Sequence, residues 1–141
     1  MINSEKNTNL NEVLDTRFLR EYFYSPQAEI KEKIVRKYNN LISHNEGILP
    51  TIVIAEFTQI TCVLRGKDMA QSRYQALMQS GLEIQNLTPP IARQAGLFKC
   101  QYANLPMGDC IIAATAQVNN ARILSDDPHF DAIKEVKRNW I

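Results

Sequence analysis

The 141-residue sequence lacks the features of a membrane, secreted or disulfide-stabilised protein. No apolar run approaches the roughly 20 residues that cross a bilayer, and the polar, Asn-rich start of the chain has no secretion-signal core. The three cysteines, Cys62, Cys100 and Cys110, are odd in number and show no Cys-x-x-Cys spacing. Neither a disulfide framework nor a zinc site is therefore expected. We expect a soluble, cytoplasmic protein with buried, reduced thiols.

An excess of charge of one sign is also missing, because 16 basic residues stand against 15 acidic ones. The net charge of +1 excludes a strongly basic domain of the kind that indicates nucleic-acid binding by itself. If four acidic residues lie together in a metal-binding pocket, however, 15 minus 4 leaves 11 acidic residues against 16 basic ones, or +5 on the remaining surface. A polyanionic partner therefore stays possible, although charge alone does not demonstrate it.

What the sequence does contain is an alternation of short apolar segments and amphipathic stretches, typical of one α/β domain at residues 11–141 after a polar extension at 1–10. Because hairpin-turn signals are missing between the predicted strands, we expect a mainly parallel sheet. The predicted strands are residues 11–15, 47–50, 82–87, 122–125 and 136–140. The predicted helices are residues 16–24, 27–43, 51–64, 67–80, one opening at 88–90, and 109–118.

The segment after Pro50 has two possible structures. β-Branched residues dominate residues 51–55, as in a strand. Thr51, however, is a residue type that caps helices, and Gly66 stands where such a helix would end. We favour the helix, which would carry Glu56.

Acidic residues follow two of the predicted strands directly. Asp15 ends the first strand, and Asp126 and Asp127 follow the strand at 122–125. Ligand sites in parallel α/β sheets lie beyond the carboxyl ends of the strands, so we expect these side chains at one edge. Asp109 begins a predicted helix in the same kind of unit, and Glu56 could join from its own helix.

Clustered carboxylates have a chemical use, because Mg²⁺ and Mn²⁺ prefer oxygen ligands and would offset the repulsion among the acids. A metal ion in such a site can activate water and stabilise a leaving oxygen, which suits phosphodiester hydrolysis. Each acid also has a structural explanation on its own. Asp15 and Asp109 could cap helices, Asp126 and Asp127 could be turn residues, and Glu56 could lie on an exposed helix face.

Four sequence blocks favour the common site: VLDTRFL around Asp15, PTIVIAEF around Glu56, GDCIIAATA around Asp109 and ILSDDPHF around Asp127. In this order, from about residue 12 to near the C-terminus, they resemble PIN-domain proteins, particularly the VapC-like toxins and their archaeal relatives. The resemblance implies a three-layer α/β/α fold with a mainly parallel five-stranded sheet flanked by helices. It also implies Mg²⁺ or Mn²⁺ as cofactor and endonucleolytic cleavage of RNA.

The resemblance also assigns roles to the acids. Asp15, Glu56 and Asp109 match the first three family acids. Asp127 matches the fourth, because it stands three residues before a phenylalanine, and Asp126 is the adjacent alternative. The match implies that Asp15 and Asp109 are the main metal ligands. Glu56 and Asp127 would orient metal-bound water or a second ion.

Further residues and partners are candidates as well. Ser125 matches a family Thr or Ser that supports the metal site through its hydroxyl. Arg17 and Arg20 could reach substrate phosphates, although arginines on an exposed helical turn are commonly only solvated. We interpret His129 as a positioned turn residue rather than a general acid. The resemblance implies a homodimer and a cognate antitoxin protein, and no membrane partner.

Three other functions remain as alternatives. An aspartate-nucleophile phosphatase needs a second acid two residues after the nucleophile, where this chain has Arg17. A receiver domain needs an acidic pair after its first strand and a mid-chain aspartate, and this chain offers Glu56 there. A PIN-like module that binds RNA or protein without catalysis is disfavoured by the complete set of acids.

Overall fold

A computed structural model describes residues 11–141, so the polar extension at residues 1–10 lies outside the described part of the chain. Five short strands pair in parallel in the order β3-β2-β1-β4-β5, which confirms the predicted parallel five-stranded sheet. The strands are β1 Glu12–Leu14, β2 Gly47–Pro50, β3 Glu83–Gln85, β4 Arg122–Leu124 and β5 Arg138–Asn139.

Helices connect the strands, as the sequence predicts. They are α1 Thr16–Tyr24, α2 Ala28–Ser43, α3 Thr51–Arg65, α4 Lys67–Met78, α5 Pro89–Gln101 and α6 Met107–Val118, and a 3₁₀ helix, Pro128–Ala132, follows β4. The helix preferred for the segment after Pro50 is confirmed. Within residues 11–141, no helix is long and apolar enough to cross a membrane.

Two predicted helix caps are wrong. Thr51 lies inside the first turn of α3, because Pro50 occupies the cap position and forms no side-chain capping bond. Asp109 likewise lies in the first turn of α6, whose cap residue is Pro106. In both cases a proline occupies the cap position and the predicted cap residue lies inside the helix. Helix capping therefore does not explain the presence of Asp109.

The central strands are buried on both faces. Val13, Leu14, Ile123 and Leu124 are 0% exposed, which is typical of a parallel sheet covered by helices. The Ala-rich α6 is buried from Ile112 to Ala116, as predicted. The thiols differ from expectation, because only Cys110 is buried. Cys62 and Cys100 are exposed on the outward faces of α3 and α5.

The sheet order explains where a crevice opens. The chain moves outward from β1 to β2 and β3, and then returns to place β4 on the other side of β1. The connections after β1 and after β4 therefore diverge, and ligands of α/β proteins bind beyond the carboxyl ends of strands at such a point. Asp15 follows β1 there, and residues 125–127 follow β4.

Candidate active site

Asp15 is a buried carboxylate, 4% exposed, at the end of the central strand. It caps α1, since its Oδ1 accepts a hydrogen bond from the Thr16 backbone N–H at 2.8 Å. Its Oδ2 accepts a second bond from the Ser125 hydroxyl at 2.6 Å. The capping role and a role in a site are therefore compatible, because each oxygen keeps a further lone pair for a ligand. Burial raises the pKa of Asp15, and these two hydrogen bonds oppose the rise.

Ser125 joins the ends of the two central strands. Its hydroxyl is buried, donates to Asp15 and accepts the Asp127 backbone N–H at 3.0 Å. The Asp127 carboxylate in turn accepts the His129 backbone N–H at 2.9 Å and so caps the 3₁₀ helix. The His129 ring lies 2.9 Å from the same oxygen. The bonds from Ser125 and from the His129 backbone orient the carboxylates of Asp15 and Asp127, two of the acids that the sequence predicts for the site.

Glu56 reaches the same place from α3, and its orientation depends on two residues. The Thr16 hydroxyl donates a hydrogen bond to Glu56 Oε1 at 2.6 Å. A Cβ atom on Gly108 would lie only 2.5 Å from Glu56 Oε2. The glycine at the start of α6 therefore leaves the space in which the Glu56 carboxylate lies beside Asp109.

Asp109 differs from Asp15, Glu56 and Asp127 in that its negative charge is not stabilised by a hydrogen bond within residues 11–141. No side-chain hydrogen bond to it occurs within residues 11–141, and its pKa is raised to about 6. Burial is the largest cause, followed by the negative charges of Asp15, Asp127 and Glu56, while His129 has a smaller opposite effect. A half-buried acid with three acidic neighbours favours either a proton or a cation.

The four predicted acids line one cavity of about 290 Å³. Arg17 and Arg20 line it too, at the rim. Asp126 does not, because its carboxylate forms an ion pair with Arg17 and lines a neighbouring cavity. Of the two adjacent aspartates, Asp127 therefore lies with the other acids. We call this set the acidic cavity: Asp15, Glu56, Asp109 and Asp127.

The comparison with known families decides the identity of the fold. The PIN domain family matches residues 13–136, which is most of the chain. The protein belongs to the PIN-domain family. This membership excludes the aspartate-phosphatase and receiver-domain alternatives. A search of curated proteins finds no match.

Solved structures similar to this PIN domain include two DNA-bound VapBC complexes and one VapC toxin. VapBC2 from Rickettsia felis, bound to a promoter DNA fragment, has a TM-score of 0.76 at 18% identity, covering 93% of this chain and 98% of that chain. DNA-bound VapBC from Salmonella typhimurium has the same score and coverage at 15% identity. Mycobacterium tuberculosis VapC20 has a TM-score of 0.72 at 13% identity, covering 86% and 94%. At these identities the likeness establishes the fold.

Two residues of this PIN domain's site were missed by the sequence analysis. Thr16 orients Glu56, but it is 40 positions away in sequence, and nothing near it indicates the contact. Gly108 makes room for Glu56, and its one local signal is a glycine early in a helix beside an acidic residue. Both contacts depend on how α1, α3 and α6 pack together.

The donor set suits an oxygen-preferring cation, since four carboxylates face one cavity and at least two have raised pKa values. Within residues 11–141, no group of three or more His, Cys, Asp or Glu side chains is arranged to hold a metal ion as it stands. The oxygen ligands of the acidic cavity still fit such an ion by their chemistry, and its four carboxylates are the groups of this PIN domain that would hold it.

Proposed function

We propose that this PIN domain is a Mg²⁺- or Mn²⁺-dependent endoribonuclease that hydrolyses RNA phosphodiester bonds. The observation that carries the proposal is the acidic cavity. Four acids from separate parts of the chain meet at the carboxyl ends of β1 and β4, and Asp109 among them has no compensating hydrogen bond within residues 11–141. Such a site suits a divalent cation and a substrate that brings its own negative charge.

The residues would divide the work as follows. Asp15 and Asp109 would hold the metal ion, with Glu56 and Asp127 completing the set. The ion, when bound, would acidify a water molecule and stabilise the charge on the departing oxygen. Ser125 and Thr16 fix the orientations of two of the carboxylates.

The rim residues would act on the substrate. Arg17 and Arg20 line the cavity and are placed to contact phosphate oxygens as the RNA enters. Their charge would also offset the repulsion between the RNA backbone and the acids during its approach.

Solved relatives support a toxin as the biological role. The Mycobacterium tuberculosis VapC20 structure is described as a sarcin–ricin loop cleaving toxin. The Rickettsia felis and Klebsiella pneumoniae structures are described as a VapBC pair and a toxin–antitoxin complex. We therefore propose that this chain is the toxin of a VapBC-type pair, acts as a homodimer and is inhibited by a cognate antitoxin.

The adjacent aspartates offer a matched test of the activity. Purified native protein, Asp127→Asn and Asp126→Asn would be incubated with total cellular RNA, with Mn²⁺ or with a chelator, and the cut ends mapped by sequencing. We expect metal-dependent cuts from the native protein and from Asp126→Asn, and loss of cutting in Asp127→Asn.

The opposite results have clear meanings. Cutting by Asp127→Asn together with loss in Asp126→Asn would move the fourth acid to Asp126. If the native protein makes no metal-dependent cut in any RNA, the enzyme assignment is wrong. The chain is then a PIN module that binds RNA or protein without catalysis.

A further inference from the structure

A second cavity, of about 540 Å³, opens beside the acidic cavity. Arg17 and Arg20 line both cavities, so the two cavities are neighbours at these side chains. We call it the arginine cavity and define it by its charged and aromatic lining residues: Arg17, Arg20, Glu21, Tyr24, Arg65 and Asp126.

Arg65 is held in a fixed place in the arginine cavity. It lies in the last turn of α3, and its guanidinium carbon is 5.2 Å from the centroid of the Tyr24 ring. Tyr24 is itself fixed, since it stacks on Phe57 and its hydroxyl donates to Thr61 at 3.1 Å. A guanidinium oriented by an aromatic face loses little entropy when it binds an anion.

Within residues 11–141, no acidic side chain pairs with the Arg65 guanidinium. The ion pairs within residues 11–141 involve other cations, and Arg65 forms none of them. A cation at the end of a helix can be explained by the helix dipole alone. The helix dipole does not explain why Arg65 lines a cavity next to the four carboxylates.

We propose that the arginine cavity binds the phosphate backbone of RNA next to the bond that is cut, with Arg65 as a phosphate contact. This inference depends on the proposed ribonuclease activity. A strand with one phosphate in the acidic cavity would pass Arg17 and Arg20, which line both cavities, and Arg65 is the further cation that lines the arginine cavity. The planar guanidinium suits the oxygens of a phosphate.

Two acids in the arginine cavity shape this binding. Glu21 lines the same wall, and Asp126 is paired with Arg17. The Arg17–Asp126 pair is exposed, with 56% and 32% of the two side chains accessible, so a phosphate can displace the carboxylate at small cost. Asp126 is therefore a competitor of the RNA for Arg17, and its removal should strengthen binding.

Binding can be measured without cleavage. All variants would carry Asp15→Asn to prevent cutting, and the probe would be a fluorescein-labelled, mixed-sequence single-stranded RNA of about 12 nucleotides, which is the scale of known single-strand sites. Fluorescence anisotropy would give Kd at several salt concentrations. Added Arg65→Gln should weaken binding about tenfold. The slope of log K against log salt should become shallower by about 0.7 for the lost phosphate contact.

A matched control separates this site from general charge. Arg93→Gln makes the same change in net charge at an exposed position on α5, outside both cavities. It should leave Kd within about twofold, because a distant exposed charge is screened by salt. Asp126→Asn should change Kd in the direction opposite to Arg65→Gln. Arg20→Gln, at an exposed residue, repeats the test should Arg65→Gln disturb folding.

The outcomes separate this inference from the ribonuclease proposal. If Arg65→Gln and Arg20→Gln bind RNA as Arg93→Gln does while the protein with native Asp15 still cuts RNA, the arginine cavity does not bind the RNA backbone and the inference is wrong. If the protein neither binds nor cuts RNA, both proposals fail. In the background with native Asp15, Arg65→Gln should raise KM and leave kcat nearly unchanged. A fall in kcat alone would contradict a backbone-binding role.

Discussion

Glu12 and Asp15 stand three positions apart at opposite ends of β1, and both are buried, with 2% and 4% of their surface exposed. Their surroundings are opposite. Glu12 contacts the Lys37 ammonium, accepts a hydrogen bond from Asn139 at 3.2 Å and lies 3.8 Å from the Arg122 guanidinium. The charged groups that shift the pKa of Asp15 are instead two further acids, Glu56 and Asp127.

We infer from this difference that Glu12 has a structural role and Asp15 a functional one. A buried charge is costly unless it is paired, and the chain supplies the partners of Glu12 itself. At the other end of β1 it supplies neutral hydrogen bonds, which orient Asp15, and further negative charge. The chain's own cations at the acidic cavity, Arg17 and Arg20, lie at its rim, and we propose that a metal ion from solution supplies the remaining positive charge.

The largest expected effect concerns Asp15. Asp15→Asn keeps the shape of the side chain and removes the charge that would hold a metal ion, so cleavage should fall by about a thousandfold or more. The fold should persist, because the amide oxygen can still accept the bond from the Thr16 N–H, and the amide NH2 group can donate to the Ser125 hydroxyl oxygen. Single-turnover cleavage and circular dichroism measure the two effects. Full activity in a folded Asp15→Asn protein would show that Asp15 has no role in cleavage.

Glu12→Gln should lower stability and leave cleavage unchanged, which is the reverse of Asp15→Asn. Losing the charge leaves Lys37 and Arg122 without their buried partner, which should lower the free energy of unfolding by about 2 kcal/mol. Urea denaturation measures the loss, and Glu83→Gln at an exposed strand position is the control. Cleavage by the folded fraction should be retained. A protein that is as stable as the native one but inactive would show that the Glu12 end also serves function.

Gly108→Ala tests whether the position of the Glu56 carboxylate in the acidic cavity matters for cleavage. The added methyl group would displace the flexible end of Glu56, from which it would lie only 2.5 Å. Cleavage should fall about tenfold, as is typical when a residue that supports a metal site is lost. Stability should hold or rise slightly, since alanine is the better helix former. A parallel loss of stability and activity would instead indicate a packing defect.

Asp109→Asn should stabilise the metal-free protein. The folded pKa of about 6 exceeds the ordinary value of 3.8, so the folded state holds an extra proton between these pH values. Stability of the native protein therefore falls as pH rises from about 4 to about 6 and stays reduced above that. Asp109→Asn avoids this loss.

The effect of Asp109→Asn is expected to be small, because the group is only half buried. We expect a gain of about 1 kcal/mol at pH 7, or about 3 °C in Tm, that disappears towards pH 4. Thermal unfolding with a chelator at the two pH values measures it. A native protein that is the more stable of the two at pH 7 without metal would contradict a strained acidic cavity.

Local signals account for what the sequence predicted correctly. Strand-end placement located Asp15 and Asp127, and Thr51 near the start and Gly66 at the expected end located α3. The residues that could not be predicted act over long distances. Thr16 and Gly108 position Glu56 only because separate helices pack together, and no local pattern encodes that packing. The caps at Thr51 and Asp109 were misplaced because Pro50 and Pro106 were not counted as cap residues.

Calorimetric titration of Mn²⁺ into the native protein, Asp109→Asn and Glu12→Gln tests the central claim most directly. The two variants remove one buried or half-buried negative charge each, from opposite ends of the fold. We expect Mn²⁺ binding by the native protein and by Glu12→Gln, and weakening by at least about tenfold in Asp109→Asn. Equal binding by Asp109→Asn, or no binding by the native protein, would contradict the assignment of the acidic cavity as a metal site.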